Sequence, residues 1–176
     1  MELLYESPQV AERIDDIAGK ILAEFSGDNL EHLALLGIQS NGLPLAQRLA
    51  GILGRKTGLE PNCGAIDITM HRDDFGIRRE LRALRETIID FDINERYIVL
   101  VDDVLDTGRS IRAALDLVTD YGRPSLIRLA VLVNRGRREY PICADYAGFE
   151  YRGDSKVKVV WDPDGKEDLV YLKEPM

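Results

Sequence analysis

The sequence predicts an α/β fold with a mainly parallel central sheet flanked by helices. Two observations lead to this prediction. Continuous apolar runs at 33–38, 97–101 and 126–133 are typical of strands that are buried on both faces. Amphipathic stretches separate these runs, so that a helix can return the chain between parallel strands.

The first helix lies near the amino end, and the second follows the first apolar run. Ser7 and Pro8 open the first helix, and Gly27 closes it. Its apolar face consists of Val10, Ala11, Ile14, Ile17, Ala18, Ile21, Leu22 and Phe25. The second helix begins near Pro44, after the strand at 33–38. Its apolar positions are Leu45, Ala46, Leu49 and Leu53.

The rest of the chain continues this alternation. Residues 65–70 alternate between apolar and polar side chains, which predicts a half-exposed strand. Strand 97–101 leads through a turn into a helix whose apolar positions are Ile111, Ala114, Leu115 and Val118. Pro124 ends this helix before strand 126–133. Two short apolar runs around an Asp-Pro-Asp-Gly turn predict a terminal hairpin at about 157–172.

Length and charge limit the possible functions. With 176 residues the chain has the length of a single domain, 1–176, which can bury a core without metal or disulfide support. It carries 23 basic and 31 acidic residues, which gives a formal net charge of −8. This charge repels nucleic acid at long range, so RNA binding requires a local basic patch.

The cysteines and the amino end predict the compartment. Cys63 and Cys143 lie far apart without metal-ligand spacing, which argues against a structural zinc site or a disulfide framework. The amino end is acidic and lacks an apolar leader, and no apolar run reaches the length of a membrane span. We therefore expect a cytoplasmic protein with no membrane contact.

Residues 99–110 combine the groups that a sugar phosphate requires. An apolar strand leads into the adjacent carboxylates Asp102 and Asp103, and a turn then opens a helix. Such turns lie at the carboxyl ends of strands, where open α/β sheets place their ligands. The turn offers glycine, hydroxyls and helix-opening amides to a phosphate, in residues Asp106, Thr107, Gly108, Arg109 and Ser110. The carboxylates suit ribose hydroxyls or Mg²⁺; the alternative is that they only cap the helix.

The segment Asp-Asp-x-x-Asp-Thr-Gly-Arg-Ser resembles the PRPP-binding signature of the type I phosphoribosyltransferases. The resemblance implies the type I phosphoribosyltransferase fold, with a flexible lid and a small hood near the terminal hairpin. It also implies PRPP and a nucleobase as substrates. Asp102 and Asp103 would be catalytic and would hold the cofactor Mg²⁺, through water or PRPP hydroxyls. Residues 106–110 would bind the 5′-phosphate.

Residues 71–87 are the candidate lid. The segment contains four acids and five arginines, which are Arg72, Arg78, Arg79, Arg82 and Arg85, and it is too charged for a core. It is either a solvated loop or a lid that closes over the substrate. In the second interpretation Arg72 contacts the pyrophosphate group.

Further segments resemble one branch of the family, which combines uracil phosphoribosyltransferase activity with attenuation of a pyrimidine operon. Residues 37–42 match its pyrophosphate loop, which assigns Ser40, Asn41 and Gly42 to pyrophosphate binding. Residues 129–136 match the strand and loop beside the base, which assigns Val133 and Asn134 to base binding. The branch implies uracil as the favoured base and a homo-oligomer, either a dimer or a tetramer. It also implies an mRNA leader as a partner, bound through Arg137 and Arg138.

Departures from this branch leave two alternatives open. Asp106 is typical of hypoxanthine-guanine phosphoribosyltransferases, where an aspartate works beside N7 of the purine, so the first alternative is a purine salvage enzyme. Asn134 matches neither the residue that is usual in this branch nor the one that is usual in the purine enzymes. The pyrophosphate loop also lacks the basic residue that is usual in the family. The second alternative is a mainly non-catalytic regulator that senses nucleotides and binds RNA. Cys143 and Phe149, however, stand where the branch has basic residues.

Two assignments have competing interpretations. Asp106 is catalytic if it accepts the proton of the base, and structural if it bonds neighbouring amides to shape the turn. The rings of Trp161 and Phe149 either form a stacking wall for the base or pack in the core.

Overall fold

The computed structural model describes residues 1–72 and 85–173. Its strands are Glu2–Tyr5 (β1), Leu33–Ile38 (β2), Asn62–Ile66 (β3), Tyr97–Leu105 (β4), Leu126–Asn134 (β5), Tyr146–Glu150 (β6), Lys156–Val160 (β7) and Leu169–Lys173 (β8). Five strands form a central sheet in the order β3-β2-β4-β5-β6, and all of its neighbours are parallel. The predicted α/β fold with a parallel sheet is therefore confirmed.

Three helices cover the two faces of this sheet. They are Ser7–Glu24 (α1), Gly42–Thr57 (α2) and Arg109–Tyr121 (α3), and short 3-10 turns occupy Gly27–His32 and Thr69–His71. Side chains alternate along each strand, so Leu35 and Val101 pack with α1 and α2, whereas Leu36 and Leu100 pack with α3. None of the three helices in the described ranges combines the length and the apolar character needed to cross a membrane.

Both ends of the described chain meet in a second, antiparallel sheet with the order β1-β8-β7. Strands β7 and β8 lie where the sequence predicts a hairpin. Val159 and Val170 bury this sheet against the same apolar cluster as α1 and α2. Strand β1 was not predicted, because four residues are too few to establish a period. Strand β6 was not predicted either, because its glycine and alanine dilute the strand pattern.

Two predicted strand boundaries are wrong for local reasons. Strand β4 continues beyond 101 to Leu105, because the backbone of Asp102 still pairs with β5 despite its charge. The strand predicted at 65–70 ends at Ile66. The Asp67 carboxylate accepts hydrogen bonds from the backbone and hydroxyl of Thr69, and this turn replaces the extended backbone. Most of the predicted lid, 73–84, lies outside the described residues.

Candidate active site

The carboxyl ends of β2, β4 and β5 meet at one edge of the central sheet. Gly37 on β2 pairs with Val101 on β4, and Asp102 pairs with Val131 on β5. The loop after β2, the two carboxylates on β4 and the end of β5 therefore lie side by side. Ligand sites of parallel α/β sheets lie at this edge. The predicted pyrophosphate loop, carboxylates, phosphate loop and base-side residues are brought together here.

The carboxylates of Asp102 and Asp103 lie at the end of β4. Asp102 is 8% exposed, and its Oδ1 accepts the backbone N–H of Asp103 at 2.9 Å. Asp103 Oδ1 accepts the N–H of Val104 at 2.8 Å, and its Oδ2 accepts Nδ2 of Asn41 at 3.0 Å. Burial and the charge of Asp103 raise the pKa of Asp102 well above its ordinary value. Burial also raises the pKa of Asp103, although the hydrogen bond from Asn41 lowers it in part.

The oxygen atoms of this pair fit Mg²⁺. Magnesium prefers oxygen ligands and usually retains water or substrate oxygens in its coordination sphere. Two neighbouring carboxylates with raised pKa values favour a cation, because positive charge relieves their repulsion. In residues 1–72 and 85–173, no group of three or more Asp, Glu, His and Cys side chains forms a metal site. Asp102 and Asp103 therefore supply only part of a coordination sphere, and a substrate would have to supply more of it.

The phosphate loop, residues 106–110, joins β4 to α3. Gly108 has a φ of 92°, which lies in the left-handed region that glycine adopts without strain. Thr107 Oγ1 accepts the N–H of Arg109 at 3.3 Å, which supports the turn where α3 begins. The positive end of the α3 dipole and the hydroxyl of Ser110 lie at the same place. The local structure can hold an anion.

Arg72 connects the beginning of the lid segment to the phosphate loop. Its Nη1 donates to Ser110 Oγ at 3.1 Å. Its charge also acts on Asp102, where it partly offsets the rise in pKa. His71, the preceding residue, lies 3.8 Å from the Asp120 carboxylate at the far end of α3. The predicted pyrophosphate ligand Arg72 therefore contacts the phosphate loop and is near enough to Asp102 for its charge to act on that carboxylate.

The pyrophosphate loop is held from both sides. The Asn41 amide donates to Asp103, as described above, and the backbone carbonyl of Asn41 accepts the indole N–H of Trp161 at 2.8 Å. The Arg48 guanidinium stacks on the Trp161 ring at 4.8 Å and forms a 2.6 Å ion pair with the buried Asp168. Ser40 is exposed, and Gly42 is buried at the start of α2. The connection between β7 and β8, which carries Trp161 and Asp168, therefore supports the loop that touches the carboxylates.

Replacing Trp161 with phenylalanine is expected to lower kcat about tenfold, roughly the cost of one lost hydrogen bond at the transition state. The ring under Arg48 remains, whereas the N–H that holds the Asn41 carbonyl is lost. Steady-state kinetics and thermal unfolding measure the two effects. Tyr97→Phe is the matched control, because it removes a 3.5 Å hydrogen bond to Asn29 at the opposite end of β4. Equal activity of the two variants would contradict the prediction.

The predicted base-side residues have unequal access. The Val133 side chain is fully buried, so only its backbone can meet a base. The Asn134 amide accepts a hydrogen bond from Arg138 and donates to Glu150 at 2.8 Å. Phe149 stacks face to face on Tyr5, with ring centroids 3.7 Å apart, so its ring packs in the core and does not form a wall for the base.

Arg135 is a site residue that the sequence analysis missed. It is 3% exposed, and its Nη1 donates to the Asp106 carboxylate at 2.9 Å. Asp106 therefore has a buried cationic partner, which neither interpretation of its role included. Its Oδ1 is buried and has no partner among the described residues. The only sequence signal was a basic run after β5, and such runs are usually exposed, so it could not reveal a buried arginine.

The two predicted RNA-binding arginines differ in orientation. Arg137 has a 53% exposed side chain and pairs with Asp154 at 3.3 Å. The Arg138 guanidinium is directed inward, where it donates to the backbone oxygens of Asp106 and Ile142. Together with neighbouring residues they border a cavity of about 280 Å³, lined by Asp106, Thr107, Arg137, Arg138 and Glu139. The cavity opens beside the phosphate loop.

Solved structures with a similar fold are phosphoribosyltransferases. A hypoxanthine-guanine phosphoribosyltransferase from Bacillus anthracis superposes with a TM-score of 0.67 at 19% identity, over 89% of this chain and 85% of that one. An asparagine mutant from an analysis of an invariant aspartic acid in HPRTs gives a TM-score of 0.74 at 18% identity, over 98% and 93%. At these identities the likeness shows the fold alone.

Sequence relatives identify the family of this chain more specifically than the solved structures do. The phosphoribosyl transferase domain family matches residues 1–167. Bifunctional protein PyrR from Deinococcus radiodurans is 42% identical over 174 residues, which cover 98% of this chain and 94% of the relative. Bifunctional protein PyrR from Geobacter sp. strain M21 is also 42% identical over 174 residues, which cover 98% and 97%. The chain therefore belongs to the phosphoribosyltransferase family, in the group of the bifunctional PyrR proteins.

Proposed function

We propose that the chain converts uracil and PRPP into UMP and pyrophosphate. The observation that carries the proposal is the pair of carboxylates Asp102 and Asp103, placed beside an anion-binding loop at the carboxyl end of β4. Identity of 42% to PyrR proteins over nearly the whole chain supports uracil as the base. The proposal includes the homo-oligomeric state that the resemblance implies.

The reaction exchanges one bond at C1 of the ribose. The C1–O bond to pyrophosphate breaks with its electron pair, and a ring nitrogen of uracil forms a bond to C1 and loses its proton. Positive charge develops on the ribose in such a transition state. Asp102 and Asp103 stabilise this charge, because fixed carboxylates with little water around them act strongly on a nearby cation.

The leaving group requires positive charge at the opposite end. Mg²⁺ held by Asp102, Asp103 and PRPP oxygens would supply Lewis-acid charge there. Among the described residues, Arg72 is the proposed cationic contact to the pyrophosphate group, since it bonds to Ser110 and its charge acts on Asp102. Asn41 and Gly42 offer neutral loop contacts to the pyrophosphate group. Closure of the lid segment over PRPP would exclude water, which competes with uracil for C1.

The phosphate loop orients C1 for attack. The 5′-phosphate is remote from the reacting bond, and its binding energy fixes the ribose against the carboxylates. Asp106 is the proposed acceptor of the proton from the base, and the hydrogen bond from Arg135 holds its carboxylate in place. The backbone around Val133 and the amide of Asn134 border the base on the side of β5.

A panel of bases tests the proposed activity. With PRPP and Mg²⁺, we expect UMP from uracil and no nucleotide from hypoxanthine or guanine, as measured by chromatography of the products. A panel in which the purines react and uracil does not would establish the alternative, a purine salvage enzyme. Asp106 is the residue that favours this alternative. A chain that converts no base but binds UMP would instead be the nucleotide-sensing regulator.

The second function that we propose is regulation through an mRNA leader. It is supported by the group of bifunctional relatives and by the exposed guanidinium of Arg137. The formal charge of −8 repels RNA at long range, so binding depends on a few local cationic contacts, which are strongest at low salt. Filter retention of the labelled leader of the protein's own pyrimidine operon, with and without UMP, tests it. Absence of retention at low salt would reject the regulatory function and leave the enzymatic one intact.

A further inference from the structure

Three consecutive backbone carbonyls at the phosphate loop bind the same neighbouring segment, residues 135–140. The carbonyl of Leu105 accepts the N–H of Arg135 at 2.9 Å, and the carbonyl of Asp106 accepts Nη1 of Arg138 at 2.5 Å. The carbonyl of Thr107 accepts the N–H groups of residues 139 and 140 at 2.9 and 3.2 Å. All three peptide units are therefore fixed with their oxygens toward the same segment.

This fixation also determines where the amides point. In a planar trans peptide, the C=O of one residue and the N–H of the next are antiparallel. The N–H groups of Asp106, Thr107 and Gly108 therefore point away from residues 135–140. No acceptor among the described residues binds any of these three N–H groups. Successive free amides of this kind form a concave site for an anion.

Arg138 is the only side chain among the described residues that binds one of these loop carbonyls. Its guanidinium also bonds to the carbonyls of Leu105, at 3.4 Å, and Ile142, at 2.7 Å, and to the Asn134 side chain. One planar group thus joins the end of β5, the loop after it and the phosphate loop. Arg135 assists by pairing with the side chain of Asp106.

We propose that Arg138 is a positioning residue for the 5′-phosphate. It acts through the carbonyls of Leu105 and Asp106, whose fixed orientation presents the N–H groups of the loop to the phosphate. This inference deepens the proposed function and rests on it. It also assigns Arg138 to the interior of the enzyme site, and leaves Arg137 as the arginine of this pair that is available at the surface.

The test compares a ligand that carries the 5′-phosphate with one that does not. For Arg138→Met, we expect calorimetry to show UMP binding weakened about tenfold or more, the effect of one or two lost hydrogen bonds. Binding of pyrophosphate in the presence of Mg²⁺ is expected to stay within about twofold, because it uses the other side of the site. The KM for PRPP should rise about tenfold, with a smaller change in kcat at saturating PRPP.

Arg152→Met is the matched control. Arg152 lies near Gly136 and pairs with Glu150 at the surface, so this variant removes the same charge without touching a loop carbonyl. We expect its UMP affinity to equal that of the wild type. Equal losses in both variants would attribute the effect to charge and overturn the inference.

Arg138→Lys separates the effect of the guanidinium geometry from the effect of the positive charge. It also replaces Arg138→Met as the test variant if Arg138→Met does not fold. Lysine keeps the charge, but a single ammonium cannot bridge the acceptors that the planar guanidinium joins. We expect only partial recovery of UMP affinity, with an unchanged far-UV spectrum. Full recovery, or wild-type UMP affinity in the methionine variant, would overturn the inference. A wild-type protein that binds neither UMP nor PRPP would overturn the proposed function itself.

Discussion

Replacing Asp102 with asparagine is expected to lower kcat by about 100- to 1000-fold, the range found when a group that stabilises transition-state charge is removed. The same change is expected to raise the melting temperature. Asparagine keeps an oxygen that can accept the N–H of Asp103, whereas the charge beside Asp103 disappears. Activity and stability therefore change in opposite directions, as expected for a residue retained for chemistry at a cost in stability.

The pH dependence of stability provides a separate check. Burial and Asp103 raise the pKa of Asp102 in the folded state above its value in the unfolded chain. Ionisation of Asp102 therefore disfavours folding. Its cost is absent below the unfolded pKa, grows as pH rises from that value through the raised folded pKa, and stays constant at higher pH. We expect denaturant titrations to show this loss of unfolding free energy in the wild type and a smaller loss in Asp102→Asn.

Asp116→Asn is the control for this prediction. Asp116 lies on the exposed side of α3, where it pairs with Arg112, and its loss should change neither kcat nor the pH profile noticeably. Near-normal turnover of Asp102→Asn would show that the carboxylate pair is structural. An unchanged or lower melting temperature would show that the pair is not under electrostatic strain.

Replacing Gly42 with alanine is expected to abolish most of the activity and to lower the unfolding free energy by about 1–3 kcal/mol, the usual cost of overpacking. A Cβ at Gly42 would lie 2.3 Å from the carbonyl oxygen of Val101 and 3.0 Å from Cα of Asp102. The backbone cannot accept these distances without moving β4 away from α2. Because β4 carries the carboxylates, the displacement misplaces them relative to the phosphate loop. Denaturant unfolding and UMP formation measure the two losses.

Gly51→Ala is the matched control in the same helix. The nearest atom to its Cβ is the flexible guanidinium of Arg55 at 3.4 Å, so alanine fits. Because alanine is the better helix former, this variant is expected to gain up to about 1 kcal/mol with unchanged activity. A Gly42→Ala protein with the stability and activity of Gly51→Ala would refute the close packing of α2 on β4.

The central elements of the fold could be predicted because their residue patterns are compatible with only one type of secondary structure. The run 33–38 is apolar throughout and becomes strand β2 with the predicted bounds. The stripe from Val10 to Phe25 predicts α1 for a similar reason, since helical spacing repeats over several turns. Strand β1 and the end of β3 could not be predicted. The first depends on pairing with β8, which is distant in sequence, and the second depends on one carboxylate that bonds Thr69.

The residues of the candidate site also divide into those that the sequence could predict and those that it could not. The carboxylates, the glycine turn and the helix start are contiguous, so the sequence contains them as a motif. The supporting contacts are not contiguous. Trp161 reaches the Asn41 carbonyl across 120 positions, and Arg135 reaches Asp106 across 29. Periodicity describes which face of an element is buried, but it does not describe which polar group a buried arginine or tryptophan will meet.

The pairing of β1 with β8 has a consequence for how the protein forms in the cell. A ribosome releases residues 2–5 long before residues 169–173, so the first strand remains unpaired until β8 has been synthesised. The β7–β8 connection holds Trp161 against the loop after β2, and the sheet that it joins can close only after β8 has emerged. The nascent chain can therefore pair the parallel strands β2 to β6 before the support of the active site is complete, because β8 emerges after all of them.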